Sequence, residues 1–543
     1  MSPTASVWPV HSSVVDPPAG RVTPATGYRS TVLLALLPLT SAADHPEIGA
    51  YDRYRVEVPD LPDAEATSET ASVLLAPPDD LPWTVEEAPS LDEDPLPGDD
   101  PGTYDAIEGI DALAARPWRE AGIDGTGIKI AVFDSQFYNA ELWADELGDY
   151  QTNDCQAHTG CDVPIDSIHP DYSFEEGSHG VACAEVIHDI APGAELHLVR
   201  VNGTTTLENA AAWAERNQID VVSLSMSFFS NSFYDGEGLP STLASQMAGA
   251  GVQLVNSAGN YAYEHWDGDF YDPDDDGDMD FPWGSSYLPM YYGGGEQTAV
   301  VSWDQFRTCG DTDLDAWVYD DQGRVVGRSE SNQPNGESCS PVERVGFHAD
   351  KEGWYYLKII RRAGDSRTRV AIFAREGRAY QTTPGSIADP GSSASSFTVG
   401  AVRAIDYMQN PVEGFSSVGP TQGGLAKPDI AGPDGLTTAV FGAYGFYGTS
   451  ASTPAVAATI ALVMQAEGLD SHDAAARLAG NAQTDHRVYT EWDGELGAGK
   501  ARLWSLDTVR AGCSTLPGSS GPDAPSLGVA AGVWCMFMSR RRR

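Results

Sequence analysis

The stretch GFYGTSASTPAVAATIALVMQ, residues 445–465, places four hydroxyls (Thr449, Ser450, Ser452 and Thr453) at the head of an apolar run. A hydroxyl is a weak nucleophile at neutral pH and needs a neighbouring base. IAVFDSQF sets Asp134 at the C-terminal end of an apolar segment read as a strand, the place where open α/β sheets hold ligands. GSHGVACAEVIHDIAPG sets His179 at the head of a predicted helix. A carboxylate, an imidazole and a hydroxyl in one cleft could carry out acyl transfer. Each residue alone has a plainer reading: a serine before an apolar helix is an N-cap, and the histidine and aspartate are loop and turn residues. Positions two apart on a helix point about 200° apart, so Ser450 and Ser452 cannot both face one cleft. Local sequence leaves open which hydroxyl reacts.

A second pattern concerns cations. DPDDDGDMDF places Asp272, Asp274, Asp276, Asp278 and Asp280 around Gly277. Hard oxygen ligands at alternate positions with a glycine at the turn match the start of a calcium loop. The twelfth position, where a bidentate Glu belongs, is Trp283, so Asp280 would have to substitute. A solvated acidic loop is the alternative.

These residues need a scaffold. GTGIKIAVFD (125–134), AELHLVRV (194–201), IDVVSLSMS (219–227) and GVQLVNSAGN (251–260) read as buried strands. Helix-like TLENAAAWAERN and STLASQMAGA lie between them. Strands alternating with helices predict an α/β fold with a parallel sheet covered on both faces. From about 294 to 377 the rhythm changes to short, alternating, aromatic-rich segments with Asp-Gln-Gly and Lys-Glu-Gly turns, as in an all-β sandwich. SSFTVGAV (395–402) then restores the α/β pattern.

The order Asp134, His179, Ser450, with the flanks quoted, resembles the subtilisin-like serine peptidases. The resemblance spans about residues 106–503 without the insert, and GFSSVGPTQGGLAKPDIAGP (414–433) and VVSLSMS (221–227) support it. It implies the nucleophile is Ser450, after Gly448-Thr449, and that Pro454 sits early enough for a first helical turn to accept it. Ser452 and Ala451 then serve close packing. It implies that His179 is the base, that Asp134 orients it, and that the last residue of LVNSAGN, Asn260, donates to the oxyanion. Ser225, Met226 and Ser227 form the edge that adds a substrate strand. Two positions depart from the family: Gln136 replaces the usual Gly after the Asp motif, and Val181 the usual Thr after His-Gly. Phe228 and Phe229 follow the edge where the family commonly has glycines. No catalytic group is lost, so the expected function is a serine endopeptidase acting on polypeptides and needing no cofactor for its chemistry. The competing class is a peptidase scaffold with impaired catalysis that acts in binding or adhesion. His188 and His197 lack any such context and read as structural or exposed.

The chain has 543 residues and a formal net charge of −47. Such a charge disfavours nucleic acid and anionic membranes as partners. RSTVLLALLPLTSAAD reads as a secretory signal ending at Ala43, its apolar core too short to span a bilayer. Residues 513–543, with Cys513, a Pro/Gly/Ser spacer, an apolar stretch and four terminal arginines, resemble the C-terminal sorting tails of myxobacterial surface proteins. The expected location is therefore secreted or anchored at the surface of a Gram-negative cell, as a monomer. Export permits disulfides. Cys155 pairs with Cys161 and Cys309 with Cys339 on this reading, while Cys183 is a buried small hydrophobe. The resulting plan is a signal peptide (1–43), an acidic pro-segment or linker (44–105), a subtilisin-like domain in two parts (106–293 and 378–512), an inserted jelly-roll-like sandwich (294–377) and the sorting tail (513–543).

Overall fold

A computed structural model of the chain describes residues 107–506, except 139, 156–159, 162, 166–176, 309, 334–339, 365–366, 381 and 484–492. The expected signal peptide, acidic segment, sorting tail and Cys309–Cys339 pair lie outside the described residues.

KIAVFD forms β1 (Lys129–Asp134), buried along almost its whole length. It is followed by β2 (Tyr150–Asp154), β3 (Glu195–Arg200), β4 (Val221–Leu224) and β5 (Gln253–Ser257). Much later in the chain come β15 (Ser396–Arg403) and β16 (Ile430–Asp434). These seven pair in the order β16-β15-β5-β4-β1-β3-β2, and every pairing is parallel. Near-continuous apolar runs such as VVSL suit strands covered on both faces. The edge strand β2, YQTND, has no such run and no local signal in the sequence. Helices Thr204–Arg216 and Leu239–Gly249 occupy the predicted crossovers. Two further helices, His179–Ile190 and Thr449–Glu467, pack against each other. The second is buried through almost all its turns, so it is apolar on every side and runs through the core.

Among the described residues, nine antiparallel strands lie between β5 and β15: β6 (His265–Asp269), β7 (Leu288–Tyr292), β8 (Gly295–Trp303), β9 (Asp313–Tyr319), β10 (Val325–Ser329), β11 (Val342–Ala349), β12 (Gly353–Ala363), β13 (Arg369–Arg375) and β14 (Arg378–Ala379). They form two sheets, β10-β9-β12-β7-β14 and β11-β8-β13-β6. Both sheets contribute to one buried cluster that includes Tyr292, Val301, Trp303, Leu314, Ile359 and Ile372. Antiparallel pairing starts at His265, well before the expected 294, and ends with β14, beyond 377. The early start escaped the sequence because β6 pairs with β13, about a hundred residues away, and HWDGD does not alternate. A last hairpin, β17 (Leu436–Thr438) and β18 (Gly442–Phe446), leads into the Thr449 helix. No helix among the described residues is long and apolar enough to cross a membrane.

Candidate active site

Asp134 closes β1 and is 1% exposed. Its Oδ1 accepts from the Gln136 N–H at 3.0 Å, and its Oδ2 meets His179 Nδ1 at 2.7 Å. With Nδ1 occupied by the carboxylate, Nε2 is left to exchange protons. Nε2 is buried and has no hydrogen-bond partner among the described residues. Gln136 lies outside the positive-φ residues, so the turn after the Asp motif accommodates a side chain where the family has Gly. Its carbonyl also accepts from the Gly180 N–H at 2.8 Å. A Cβ on Gly180 would stand 2.6 Å from Phe137 and 2.7 Å from the Asp134 Cβ. Only glycine after the histidine lets this helix start so close to β1.

Three of the four hydroxyls in 449–453 are engaged. Thr449 Oγ1 donates to Asn260 Oδ1 (2.9 Å), Ser452 Oγ to the Gly432 carbonyl (3.1 Å) and Thr453 Oγ1 to the Thr449 carbonyl (2.7 Å). Among the described residues, Ser450 Oγ alone of the four has no hydrogen-bond partner. Ser452 faces Gly432, where a Cβ would lie 2.9 Å from the Ser452 carbonyl, so its small size serves packing.

Pro454 corrects one expectation. The helix begins at Thr449, so Pro454 is its sixth residue and falls in the second turn. Proline has no N–H to give to the carbonyl four residues back, and that carbonyl belongs to Ser450. It accepts instead from Ser225 Oγ at 3.0 Å and Cys183 Sγ at 3.7 Å. The interruption is thus what ties Ser450 to the predicted substrate edge and to the His179 helix. Cys183 lies one turn beyond His179, and its sulfur, a His179 ring nitrogen and an Asp134 oxygen all lie within 4.8 Å of one another. Burial, reinforced by the Asp134 charge, pushes the Cys183 thiol well up, so it remains a donor. The sequence identified Cys183 only as buried; its bridging role depends on the packing of two distant helices.

Asn260 sits beside the same helix start. Its Oδ1 accepts from the Thr449 N–H at 3.0 Å as well as from the Thr449 hydroxyl. A main-chain N–H demands an acceptor, so this bond fixes which end of the amide faces Thr449 and leaves Nδ2 as a donor. Ser450 is the second residue of the helix, where the N–H has no intrahelical partner. Gly448, with φ of +102°, forms the N-cap, and its N–H bonds Asp434 Oδ2 at 3.0 Å.

The predicted substrate edge continues β4. Asn256 Nδ2 donates to the Leu224 and Met226 carbonyls, and the Phe228 N–H to the Asp389 carbonyl. The main chain of Ser227 makes no hydrogen bond among the described residues.

The other predicted sites divide. Carboxylate oxygens of Asp272, Asp274 and Asp276 lie within 4.8 Å of one another, so these three fit one hard cation. Asp272 also pairs with Arg361 at 2.7 Å. Asp278 is paired with Lys358, and Asp280 accepts from Ser286 Oγ at 2.9 Å, so neither joins the cluster. The sulfurs of Cys155 and Cys161 are 2.07 Å apart, at bonding distance. His197 is buried against Trp213 with Nε2 3.1 Å from Glu195, a structural setting.

With this geometry in view, the chain belongs to the subtilase family, whose model matches residues 125–292 and 297–499, more than half of its length. That family defines a serine peptidase, a hydrolase with polypeptide substrates. Among solved structures the chain is similar to the Clostridium perfringens CspB protease, at 14% identity and a TM-score of 0.49, over 74% of this chain and 98% of that one. No curated protein matches it.

Proposed function

We propose that the protein is a serine endopeptidase in which Ser450 is the nucleophile, His179 the general base, Asp134 its orienting acid, and Asn260 with the Ser450 N–H the oxyanion donors. The observation that carries this reading is that, of four clustered hydroxyls, only that of Ser450 is unengaged, on a helix packed beside a formed Asp134–His179 pair. A peptide strand pairs with the main chain at Ser227. Ser450 Oγ attacks the scissile carbonyl carbon while its proton passes to Nε2. The carbonyl π electrons move onto oxygen, which Asn260 Nδ2 and the Ser450 N–H hold. Collapse of the tetrahedral species breaks the C–N bond, and His179 returns the proton to the leaving amine. Water, deprotonated by the same imidazole, then releases the acyl group.

Labelling by a fluorophosphonate tests the reading. Wild type should react at Ser450, and Ser450→Ala should lose labelling and at least a thousandfold in kcat. Absence of labelling and of casein cleavage by the processed chain would instead favour the binding or adhesion scaffold.

We infer further that the enzyme works outside the cell, held by its C-terminal tail. The 29–43 signal pattern and the Cys155–Cys161 pair support export, since disulfides persist in oxidising compartments. A mature mass ending near Cys513 agrees with anchoring; one that includes the terminal arginines does not. A calcium ion on Asp272, Asp274 and Asp276 completes the proposal as a structural element with no part in the chemistry.

A further inference from the structure

The chain enters the Ser450 helix through the end of β18, and three consecutive residues there are held by the ends of β15 and β16. Gly435, directly after β16, donates its N–H to the Phe446 carbonyl at 2.9 Å. Arg403, the last residue of β15, donates from Nη2 to the Tyr447 hydroxyl at 3.0 Å. Asp434, the last residue of β16, accepts the Gly448 N–H on Oδ2 at 3.0 Å. Phe446 also meets the His179 ring edge to face, with centroids 5.4 Å apart. This short run therefore connects the imidazole to the second residue before Ser450.

Gly448 is its least constrained member. A Cβ there would lie 2.9 Å from Asn260 Nδ2, and φ is +102°, so glycine is required. Glycine visits positive and negative φ about equally, so the residue itself does not select this geometry. The bond from its N–H to Asp434 does. Both residues are buried, which leaves no water to take over the acceptor. The other carboxyl oxygen, Oδ1, is buried with no hydrogen-bond partner among the described residues. An unpaired buried polar atom is costly, and an apolar side chain would avoid that cost. What an apolar side chain could not do is accept the Gly448 N–H. Burial, reinforced by the Glu413 charge, pushes the Asp434 carboxyl well above its ordinary range, so it serves as a neutral acceptor.

We propose that Asp434 is a positioning residue for the nucleophile: by accepting the Gly448 N–H it fixes the left-handed cap that presents the Ser450 hydroxyl and N–H. The inference rests on the peptidase reading above. Asp434 acts through the Gly448 peptide and touches none of the reacting atoms.

The test uses the full chain, with kcat and KM measured on one casein peptide that wild type cleaves, beside the rate of fluorophosphonate labelling. Asp434→Asn keeps a neutral acceptor oxygen and should retain wild-type kcat within about threefold. Asp434→Ala removes the acceptor. It should lower kcat and the labelling rate by about tenfold or more, because small misplacements of a reacting group cost up to about 10²-fold. KM should stay within about twofold, since the binding edge is untouched. Thermal melting establishes that each variant is folded. If the Ala chain does not fold, Asp434→Ser, whose oxygen is one bond nearer the backbone, takes its place with the same expectation. A folded Ala or Ser chain with wild-type kcat overturns the proposal, as does an Asn chain that loses as much as Ala. If neither Ala nor Ser folds, Asp434 belongs to the fold alone and the proposal fails. In each of these cases a wild type that labels and cleaves keeps the peptidase reading. A wild type that does neither refutes that reading, and the positioning role falls with it.

Discussion

The two sides of the cleft are held by different kinds of contact. On the parallel-sheet side the groups proposed to react are fixed by main-chain atoms: Asp134 by the Gln136 N–H, Asn260 by the Thr449 N–H, and the Gly448 turn by its own N–H on Asp434. On the antiparallel side the cleft is reached by side chains, with Arg375, Phe373 and Arg344 pressing on Phe229. Main-chain donors cannot be moved by a substitution at their own position, so the first side keeps one geometry for chemistry. Contacts between side chains change with a single residue, so the second side is where substrate choice can vary. The comparison predicts that damage on the first side lowers turnover for all substrates, and damage on the second changes which substrates are turned over.

The largest effect expected from a neighbouring group follows from the first half of that statement. Asn260→Ala should lower kcat by about 10²–10³, the range known for a side-chain oxyanion donor in this family of enzymes. KM should move little, because the donor matters most when charge develops on the oxygen. Steady-state kinetics on one small and one large substrate decide the point. An equal loss on both agrees with the comparison; a loss on only one would mean that Asn260 reads the substrate instead.

The same contrast explains what was legible in the sequence. Asp134, His179, Asn260 and Ser450 stand in short frames whose neighbours do identifiable work, such as Gly180 making room for the helix and Gly448 taking a left-handed φ. Periodicity likewise revealed β1, β3, β4, β5 and β15, because strands buried on both faces are apolar runs. The edge strand β2 and the early strand β6 were not visible. One is polar, and the other is defined only by a distant partner. The contact of Arg375 with the Phe229 and Tyr261 rings was out of reach for a related reason: each of the three is unremarkable locally, and only the fold assembles them. Acidic spacing proved too generous a signal, since Asp278 and Asp280 spend their carboxylates on Lys358 and Ser286.

A second prediction compares buried carboxyls on the two sides. Burial above all pushes Glu185, on the His179 helix, up from 4.5 to about 8, and Glu264, beside Arg375, to about 7. Below 4.5 both are protonated, folded or unfolded. Between 4.5 and the raised value the folded state keeps a proton that the unfolded chain releases, so stability falls as pH rises through that window. The slope is about 1.4 kcal/mol per pH unit for each such group. Glu185→Gln retains an oxygen for the Ala439 N–H, which the native side chain accepts at 2.8 Å. Denaturant unfolding should therefore show Glu185→Gln more stable than wild type at pH 8, by a few kcal/mol, and nearly equal at pH 4.5. Glu264→Gln should not show that gain at pH 8, because it removes the carboxylate that pairs with the buried Arg375 guanidinium. A Glu185→Gln chain no more stable than wild type at pH 8 would show that the carboxyl is not held protonated by burial.

The smallest effect belongs to the acidic loop of the antiparallel block. Three converging carboxylates repel one another without a cation, and Arg361 already offsets the charge of Asp272. An ion bound only to the folded state stabilises it by RT ln(1 + [L]/Kd), which is about 2.7 kcal/mol at a hundredfold excess over Kd. The Arg361 pairing weakens the site, so millimolar calcium should raise the melting temperature by only a few degrees and a chelator should reverse the shift. Asp274→Asn should remove the calcium response, because among the described residues Asp274 has no arginine partner to substitute for the ion. Kinetics on a small substrate should stay the same with and without chelator, since among the described residues none of the three carboxylates contacts Asp134, His179, Asn260 or Ser450. A melting curve indifferent to calcium in wild type would leave the loop as a solvated acidic turn held by Arg361 and Lys358.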